Sequence, residues 1–429
     1  MKISAQPLHV NPQHELLACF DVSRKVLNLF TRFERADRTY FIEDEIANST
    51  DAIEHILTRL SGIAVEADLE HLRVLCEPTG GYEQKLLRTA ERLGHHTALI
   101  SSEHVAGLKK VESNDTGKTD LKDPRVMHLV ARLGKMQRDR HLPECYRRLR
   151  RLTSYYDDDD LALSALRSRF LALLRDLFPD YDKSGIFTFD NTGSAIMKAY
   201  GFSPYRIVRA GYGRFERKMK RHVRWVRFAT LEHLYHCAQQ SVRYAHRDEE
   251  ITLLEERAAV LWSDYERHMQ RMRQLRGQIE EVGRQLKTTG EMPPLDEDIK
   301  GLTLFNMSRL LGQTGPLKDF PSKRALLRYA GLNIRERKSG TYRGQNRISK
   351  KGRALLRKVL GQTVFPLQRR IHLYGPYYHG KIEGGMNARK AKVAVMRKFL
   401  SLVHAVALSG ERFEPVRFGT CESQYRQAA

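Results

Sequence analysis

The 429 residues carry 74 Lys and Arg against 51 Asp and Glu, a formal net charge of +23, and 41% of them are hydrophobic. That apolar fraction excludes a wholly disordered polycation, and the length allows two to three domains around buried cores. The charge calls for a polyanionic partner, nucleic acid or an acidic membrane face. No membrane span is expected, because the most apolar stretch, Val393 to Leu408, is broken by Arg397, Lys398 and His404. Met1 to Leu17 contains no apolar export signal. The five cysteines (Cys19, Cys76, Cys145, Cys237 and Cys421) have no close pairing, which suits a reduced, cytosolic protein without a zinc finger or disulfide framework.

In chain order, the first third reads as α/β. Strands are expected at the apolar run around Leu16 to Phe20, at Val26 to Phe30 and at Arg38 to Ile42, then a helix over Asp51 to Leu60 with apolar residues at helical spacing. His71 to Cys76 is a buried-type strand stopped by Pro78, Gly80 and Gly81. It is followed by a helix over Tyr82 to Leu93, a strand at Thr97 to Ile100 and a helix over Asp120 to Leu133. The order βββαβαβα implies a mixed sheet with helices against it. The middle is helical, with Leu161 to Leu177 amphipathic and Asp180 to Pro204 an irregular, Gly-rich insert. From Ile251 to Leu286 an alternating three-four spacing predicts five heptads, with His268 the one polar member. Such a stripe fits either a coiled coil between chains or one long core helix packed in cis. Thr288 to Pro294 breaks it. Helices are then expected around Met307 to Leu311, Arg324 to Tyr329, Lys350 to Gln368 and Ala388 to Leu408, with a polar Arg/Gly-rich turn at Lys338 to Asn346.

Charge is unevenly distributed. Residues 1–145 hold 20 Lys/Arg and 22 Asp/Glu, so the remainder carries a net +25. Arg206 to Arg227 has nine basic residues and one acid, interleaved with Tyr205, Tyr212, Phe215 and Trp225, and Arg335 to Lys358 has ten basic residues and one acid. Candidate phosphate contacts are Arg206, Arg209, Arg214, Arg217, Lys218, Lys220, Arg221 and Arg224 in the first cluster. In the second they are Arg335, Arg337, Lys338, Arg343, Arg347, Lys350, Lys351 and Arg353. The aromatics of the first cluster are candidate stacking partners for unpaired bases.

Four acids in the balanced first third stand where metal chemistry wants them. Asp21 ends the first strand, Glu77 ends a later one, and Asp120 and Asp123 lie at i, i+3 near a helix start. Carboxylates so placed suit hard divalent cations such as Mg²⁺, which in pairs serve phosphoryl transfer. From spacing alone, a helix-start residue and an exposed turn acid are equally good readings.

The sequences Phe20-Asp21-Val22, Glu77-Pro78-Thr79-Gly80-Gly81-Tyr82 and Lys118-Thr119-Asp120-Leu121-Lys122-Asp123 resemble the DEDD signature of the insertion-sequence 110 family of DEDD/serine transposases, regarded as bridge-RNA-guided recombinases. Tyr329-Ala330-Gly331-Leu332, Ser339-Gly340 and Arg347-Ile348-Ser349-Lys350-Lys351-Gly352, followed by Leu355-Leu356-Arg357, resemble that family's C-terminal transposase domain. The family's usual Pro-Gly-Ile-Gly is replaced here by Lys300-Gly301-Leu302-Thr303. The resemblance implies a RuvC-like (RNase H-like) domain over 1–150, a helical region over 151–290 with a basic insert (180–230) and a coiled coil (249–287), and a mainly α serine transposase domain over 291–429. It implies Asp21, Glu77, Asp120 and Asp123 as a Mg²⁺-binding tetrad and Ser339 as the nucleophile that becomes linked to a DNA phosphate. Ser349 reads as the cap of the basic helix. The implied partners are donor and target DNA, a non-coding guide RNA, and further copies of the chain in a dimer or tetramer, in a nucleoid-associated, prokaryotic setting. Two rival readings are a RuvC-like nuclease that uses water and a non-catalytic coiled-coil nucleic-acid-binding protein.

Overall fold

The computed structural model describes residues 14–35, 38–112, 122–138, 140, 142–223, 226–244, 247–335, 338–339, 342–343, 347–411 and 413. The chain divides into two compact units, Met1–His141 and Leu142–Ala429. Asp120, Arg224, Trp225, Arg337 and Cys421 lie outside the described residues.

The first unit is a three-layer α/β structure. Its elements are β1 (Glu15–Val22), β2 (Val26–Arg35), β3 (Arg38–Ala47), α1 (Thr50–Glu66), β4 (His71–Cys76), α2 (Gln84–Arg92), β5 (His96–Ile100), α3 (Ser102–Glu112), α4 (Lys122–Arg132) and β6 (Met136–Arg138). The six strands run in the order β3-β2-β1-β4-β5-β6. β1 to β3 form an antiparallel meander, β1, β4 and β5 are parallel, and β6 returns antiparallel to β5. The alternation of side chains along β1 explains the layers. Leu16, Ala18, Phe20 and Val22 join Ile53, Leu57 and Leu60 of α1 and Leu86 of α2 in one core. Leu17 and Cys19 join Leu75 and Val126, Met127 and Val130 of α4 in a second core on the opposite face. A strand buried on both faces has to be apolar at almost every position, as Leu16 to Phe20 is. The first-third elements expected from sequence are all present; α3 and β6 are additional.

The second unit is mostly helical: α5 (Glu144–Leu177), α6 (Asn191–Tyr200), α7 (Pro204–Ala210), α8 (Tyr212–His222), α9 (Phe228–Ser241), α10 (Asp248–Thr288), α11 (Leu295–Asp298), α12 (Leu304–Thr314) and α13 (Lys323–Tyr329), then short strands β7 (Ile334–Arg335), β8 (Lys338–Ser339), β9 (Tyr342–Arg343) and β10 (Arg347–Ile348), then α14 (Ala354–Leu367), α15 (Gly375–Glu383) and α16 (Ala388–Ser409). Among the described residues no helix is long and apolar enough to cross a membrane.

The heptad stripe of α10 is used within the chain. Its N-terminal half (Ala258, Leu261, Trp262, Tyr265) packs with Phe170 and Leu174 of α5 and with α6 to α9. Its C-terminal half (Ile279, Val282, Leu286) packs with Tyr146 and Leu149 of α5 and with α12 to α16. α5 and α10 are therefore antiparallel partners in cis. The polar member of the stripe, His268, is accounted for by Asp159 of α5, whose Oδ1 lies 2.6 Å from the imidazole Nδ1. The segment expected to be an irregular insert contains α6, capped by the Asp190 carboxylate, which accepts from the Gly193 N–H at 2.8 Å.

Close approach of helices sets two positions. A Cβ at Gly283 of α10 would lie 1.9 Å from the Ser308 hydroxyl of α12, and one at Gly312 of α12 would lie 2.8 Å from Leu149 Cβ and 2.9 Å from its backbone carbon. Because backbone stands opposite Gly312, Gly312→Ala has no side chain to push aside. It is expected to cost about 1–3 kcal/mol, read as a lower urea midpoint at unchanged slope.

His128 of α4 is 2% exposed, with its ring edge-on to Phe30 at 5.4 Å. Burial, then the positive charge of Arg132, lower its pKa from 6.5 to about 4, with the Arg32 charge adding to them and a hydrogen bond with the Arg32 backbone opposing. The folded unit thus prefers the neutral ring and the unfolded chain takes up the proton first. This contribution is complete above pH 6.5 and is lost as the pH falls toward about 4. The loss amounts to about 3 kcal/mol. Urea unfolding followed across that range should show the slope, and His128→Gln should flatten it.

Candidate active site and nucleic-acid interface

The register Phe20↔Cys76 between parallel β1 and β4 places Asp21 and Glu77 one residue further along neighbouring chain segments, about 4.8 Å apart in backbone. By alternation Asp21 follows Leu17 and Cys19 onto the face covered by α4. α4 runs against β1. Arg125 near its start donates from Nη2 to the Glu43 carboxylate at 2.8 Å and lies 5.9 Å from the Phe30 ring, and Phe30 is the register partner of Cys19. At the other end Arg132 lines a cleft with Glu15, the first residue of β1. Asp123, in the first turn of α4, is therefore at the same end of the sheet as Asp21 and Glu77. Its carboxylate is paired with the Lys109 ammonium of α3. Among the described residues, no three His, Cys, Asp or Glu side chains are close enough together to hold a metal ion. The fold thus brings three of the four acids singled out in the sequence to one end of the sheet, without closing these three into a cage.

Two residues that the sequence reading passed over shape this end. One is Lys109, whose helix was not foreseen. The other is Glu83, 7% exposed. Its Oε2 accepts from the Thr79 N–H at 3.2 Å, the Thr79 hydroxyl at 2.9 Å and the Gly81 N–H at 2.8 Å. Burial raises its pKa, but hydrogen bonds from its own N–H, from Gly81, from Thr79 and from Gln84 outweigh it, leaving the carboxyl below its ordinary 4.5. Glu83 clamps the turn that follows Glu77, where Gly80 and Gly81 adopt φ of +77° and +125°.

Ser339 lies in the second unit, on a β-ribbon. β7 pairs antiparallel with β10, and β8 pairs with β9. Ser339 faces Tyr342 at the ribbon's far end. The other register pairs are Lys338↔Arg343 in the same ladder and, in the β7–β10 ladder, Arg335↔Arg347 and Ile334↔Ile348, so two of the three are basic opposite basic. The Arg/Gly-rich turn expected from sequence is thus partly strand. Ser349 is not a helix cap: its hydroxyl bonds the Asn333 side chain and its N–H donates to the Asn333 carbonyl at 2.8 Å, while α14 begins only at Ala354.

A model described as Transposase IS116/IS110/IS902 family matches residues 297–378, and a DEDD transposase model of the IS110 group, described as Transposase, matches residues 34–179. The chain belongs to the IS110 family of transposases. No curated protein matches the sequence. Glu77, Asp120 and Asp123 fall within the first of the two matched segments in chain order, and Ser339 within the second.

On this transposase the basic cluster of α7 and α8 lies at the surface. Arg206, Arg209, Arg214, Arg217, Lys218, Lys220 and Arg221 are all exposed. Some are also tied down, Arg206 to Glu255, Lys220 to Glu216, and Lys218 to the Ala199 carbonyl at 2.7 Å. The aromatics between them point inward. Phe215 is fully buried in the helical core, and Tyr212 packs edge-on against Phe228 and Tyr235. Neither is a free stacking platform; their spacing with Met219 is that of a core-facing stripe. In the second cluster Arg335, Arg347, Lys350 and Lys351 are exposed, whereas half-buried Arg353 donates to the Gln313 side chain at 3.1 Å.

Removing the clamp should loosen the turn. Glu83→Ala leaves the Thr79 and Gly81 donors without their carboxylate, at an expected cost of about 1–3 kcal/mol. Hydrogen exchange should report faster exchange at the Thr79 and Gly81 amides, with the β1 amides exchanging no faster than the global loss of stability requires.

Proposed function

We propose that the chain is a Mg²⁺-dependent recombinase of a mobile element that cuts and rejoins DNA through a phosphoserine at Ser339. The observation that carries this reading is the pairing around the serine: Ser339 is followed in its ladder by Lys338 opposite Arg343, and the β7–β10 ladder places Arg335 opposite Arg347. Like charges directly opposite one another destabilise a ladder unless an anion lies over them. A DNA phosphate is the anion a transposase meets. The order β3-β2-β1-β4-β5, with its antiparallel meander leading into parallel strands, supports a RuvC-like reading of the first unit.

In the proposed reaction the Ser339 oxygen attacks a backbone phosphorus. The phosphorus–oxygen bond to one nucleoside breaks, the serine proton is lost and a strand hydroxyl leaves. A hydroxyl from another strand then attacks the phosphoserine, joining the new strand and releasing serine, so no phosphodiester is lost to water. Arg335, Arg337, Lys338 and Arg343 would neutralise charge on the phosphoryl oxygens. Asp21, Glu77, Asp120 and Asp123 are hard oxygen donors of the kind Mg²⁺ takes, and bound Mg²⁺ would supply Lewis-acid charge to the phosphate. Lys109, paired with Asp123, would compete with a cation for that carboxylate. A guide RNA is proposed to choose the sequences by pairing, which fits basic surfaces without evident base-reading side chains. Self-association is proposed as well. With the α10 stripe filled in cis, exposed Leu253 and Val260, seven residues apart, are apolar positions on that helix open to a second copy.

Incubation with nicked DNA and Mg²⁺ should yield protein covalently bound to DNA, with the linked peptide containing Ser339. Ser339→Ala should abolish the adduct, and Asp21→Asn or Glu77→Gln should reduce it by on the order of 10³-fold. Cutting that depends on the acids but never gives an adduct would instead establish the water-using nuclease. Sequencing of RNA that copurifies with the protein tests guidance, and consistently RNA-free, active protein would remove it.

A further inference from the structure

Residues 365–398 hold eight Lys/Arg and one acid, Glu383, a basic stretch beyond the two clusters already described. At its start the turn between α14 and α15 holds Arg369, Arg370 and Ile371 outward, all three exposed. Ile371 is 80% exposed, the most of any large apolar side chain among the described residues. The turn is nonetheless rigidly seated. Leu367 and Tyr374 on either side of it are fully buried, and the Tyr374 N–H donates to the Leu367 carbonyl at 3.2 Å. Within it the His372 N–H donates to the Arg369 carbonyl at 2.8 Å and the Gly375 N–H to the His372 carbonyl at 2.9 Å. A Cβ at Gly375 would lie 2.2 Å from the Arg369 carbonyl oxygen, so the chain closes on itself beneath the tip. On the preceding helix Phe365 is 66% exposed, with the Lys392 ammonium 5.4 Å from its ring. An isoleucine held in water on a braced turn, next to two arginines, leaves about 2 kcal/mol of burial unused.

We propose that the Arg369–Ile371 turn is a wedge for duplex DNA: Ile371 enters a base step from the minor groove while Arg369 and Arg370 hold the flanking phosphates. A branched apolar tip beside cations is the chemistry by which proteins unstack a step and kink a duplex. Platforms for single strands use flat aromatic rings instead, which an isoleucine cannot replace. Arginines at the tip fit a polyanion better than an apolar protein surface, where they would lose water without gaining partners. For an enzyme that exchanges strands, a kinked step lowers the cost of opening the adjacent pairs. The wedge rests on the family's action on DNA and is independent of how Ser339 reacts.

The test uses the full chain and a DNA duplex containing 2-aminopurine, whose fluorescence rises on unstacking. Wild type and Ser339→Ala should both raise it on binding. Ile371→Ala should lose the rise while binding weakens less than about tenfold, and Ile371→Met should keep it. The Arg369→Gln, Arg370→Gln double variant should bind more weakly and make the salt dependence shallower by about two. Unfolding midpoints equal to wild type would confirm that these exposed substitutions leave the fold intact. The wedge is overturned if wild type binds without a fluorescence rise, or if Ile371→Ala retains the full rise. It is equally overturned if the rise appears with an RNA duplex of the same sequence and not with DNA, or if Ile371→Ala changes only the protein's oligomeric mass.

Discussion

The packing of α10 against α5 is the interaction on which the second unit depends. A 41-residue helix is roughly 60 Å long, and the two halves of its apolar stripe close two different cores. No short element could belong to both. The acid run Asp157 to Asp160 of α5 fastens this arrangement. Asp159, with its side chain 3% exposed, faces His268 and Arg271, while Asp157 and Asp160 pair with Lys358 of α14. Unpaired, a buried carboxylate would cost several kcal/mol; paired, it fixes which turn of α5 meets which turn of α10. Arg309 of α12 is buried next to this run, over the Tyr156 ring at 4.8 Å.

The same arrangement explains where the positive charge is available. The second unit uses part of its acid internally, against α10 and α14, and leaves its arginines and lysines mostly at the surface. The first unit has no such surplus, and three of its acids, Asp21, Glu77 and Asp123, lie at one end of the sheet. The division seen in sequence, near-neutral before residue 145 and +25 after it, is therefore the outcome of two different structural demands. One unit balances its charges, and the other exposes cations such as Arg335, Arg347, Lys350 and Lys351.

How much of this was legible depended on what each pattern encodes. The apolar run that opens β1 and the Pro/Gly stop after β4 placed Asp21 and Glu77 near strand ends, because strand ends are set by local chemistry. The α10 periodicity located a buried face, but a face does not name its partner, and α5 proved to be that partner in cis. His268 looked out of place in the stripe until Asp159 was found opposite it. α6 went unread because Gly193 and its polar neighbours look like loop, whereas a Cβ at Gly193 would lie 2.0 Å from the Thr188 carbonyl oxygen, so glycine is required there by close packing. The aromatics of α8 were misjudged in the opposite sense. Composition suggested a stacking surface, while the spacing of Tyr212, Phe215 and Met219 already described the inward side of a helix.

The ribbon that bears Ser339 has a further consequence for the order of events. A two-stranded ribbon is marginally stable by itself, and two basic-opposite-basic register pairs cost it about 0.4–2 kcal/mol more. Phosphates laid along it reverse the sign of those pairs. Binding and ordering then favour each other, since a ligand shifts a conformational equilibrium by its preference for one state. Were Ser339 the nucleophile proposed above, a scaffold completed by its own substrate would make it attack least when nothing is bound, which would suit an enzyme whose cut, made at the wrong place, breaks a chromosome.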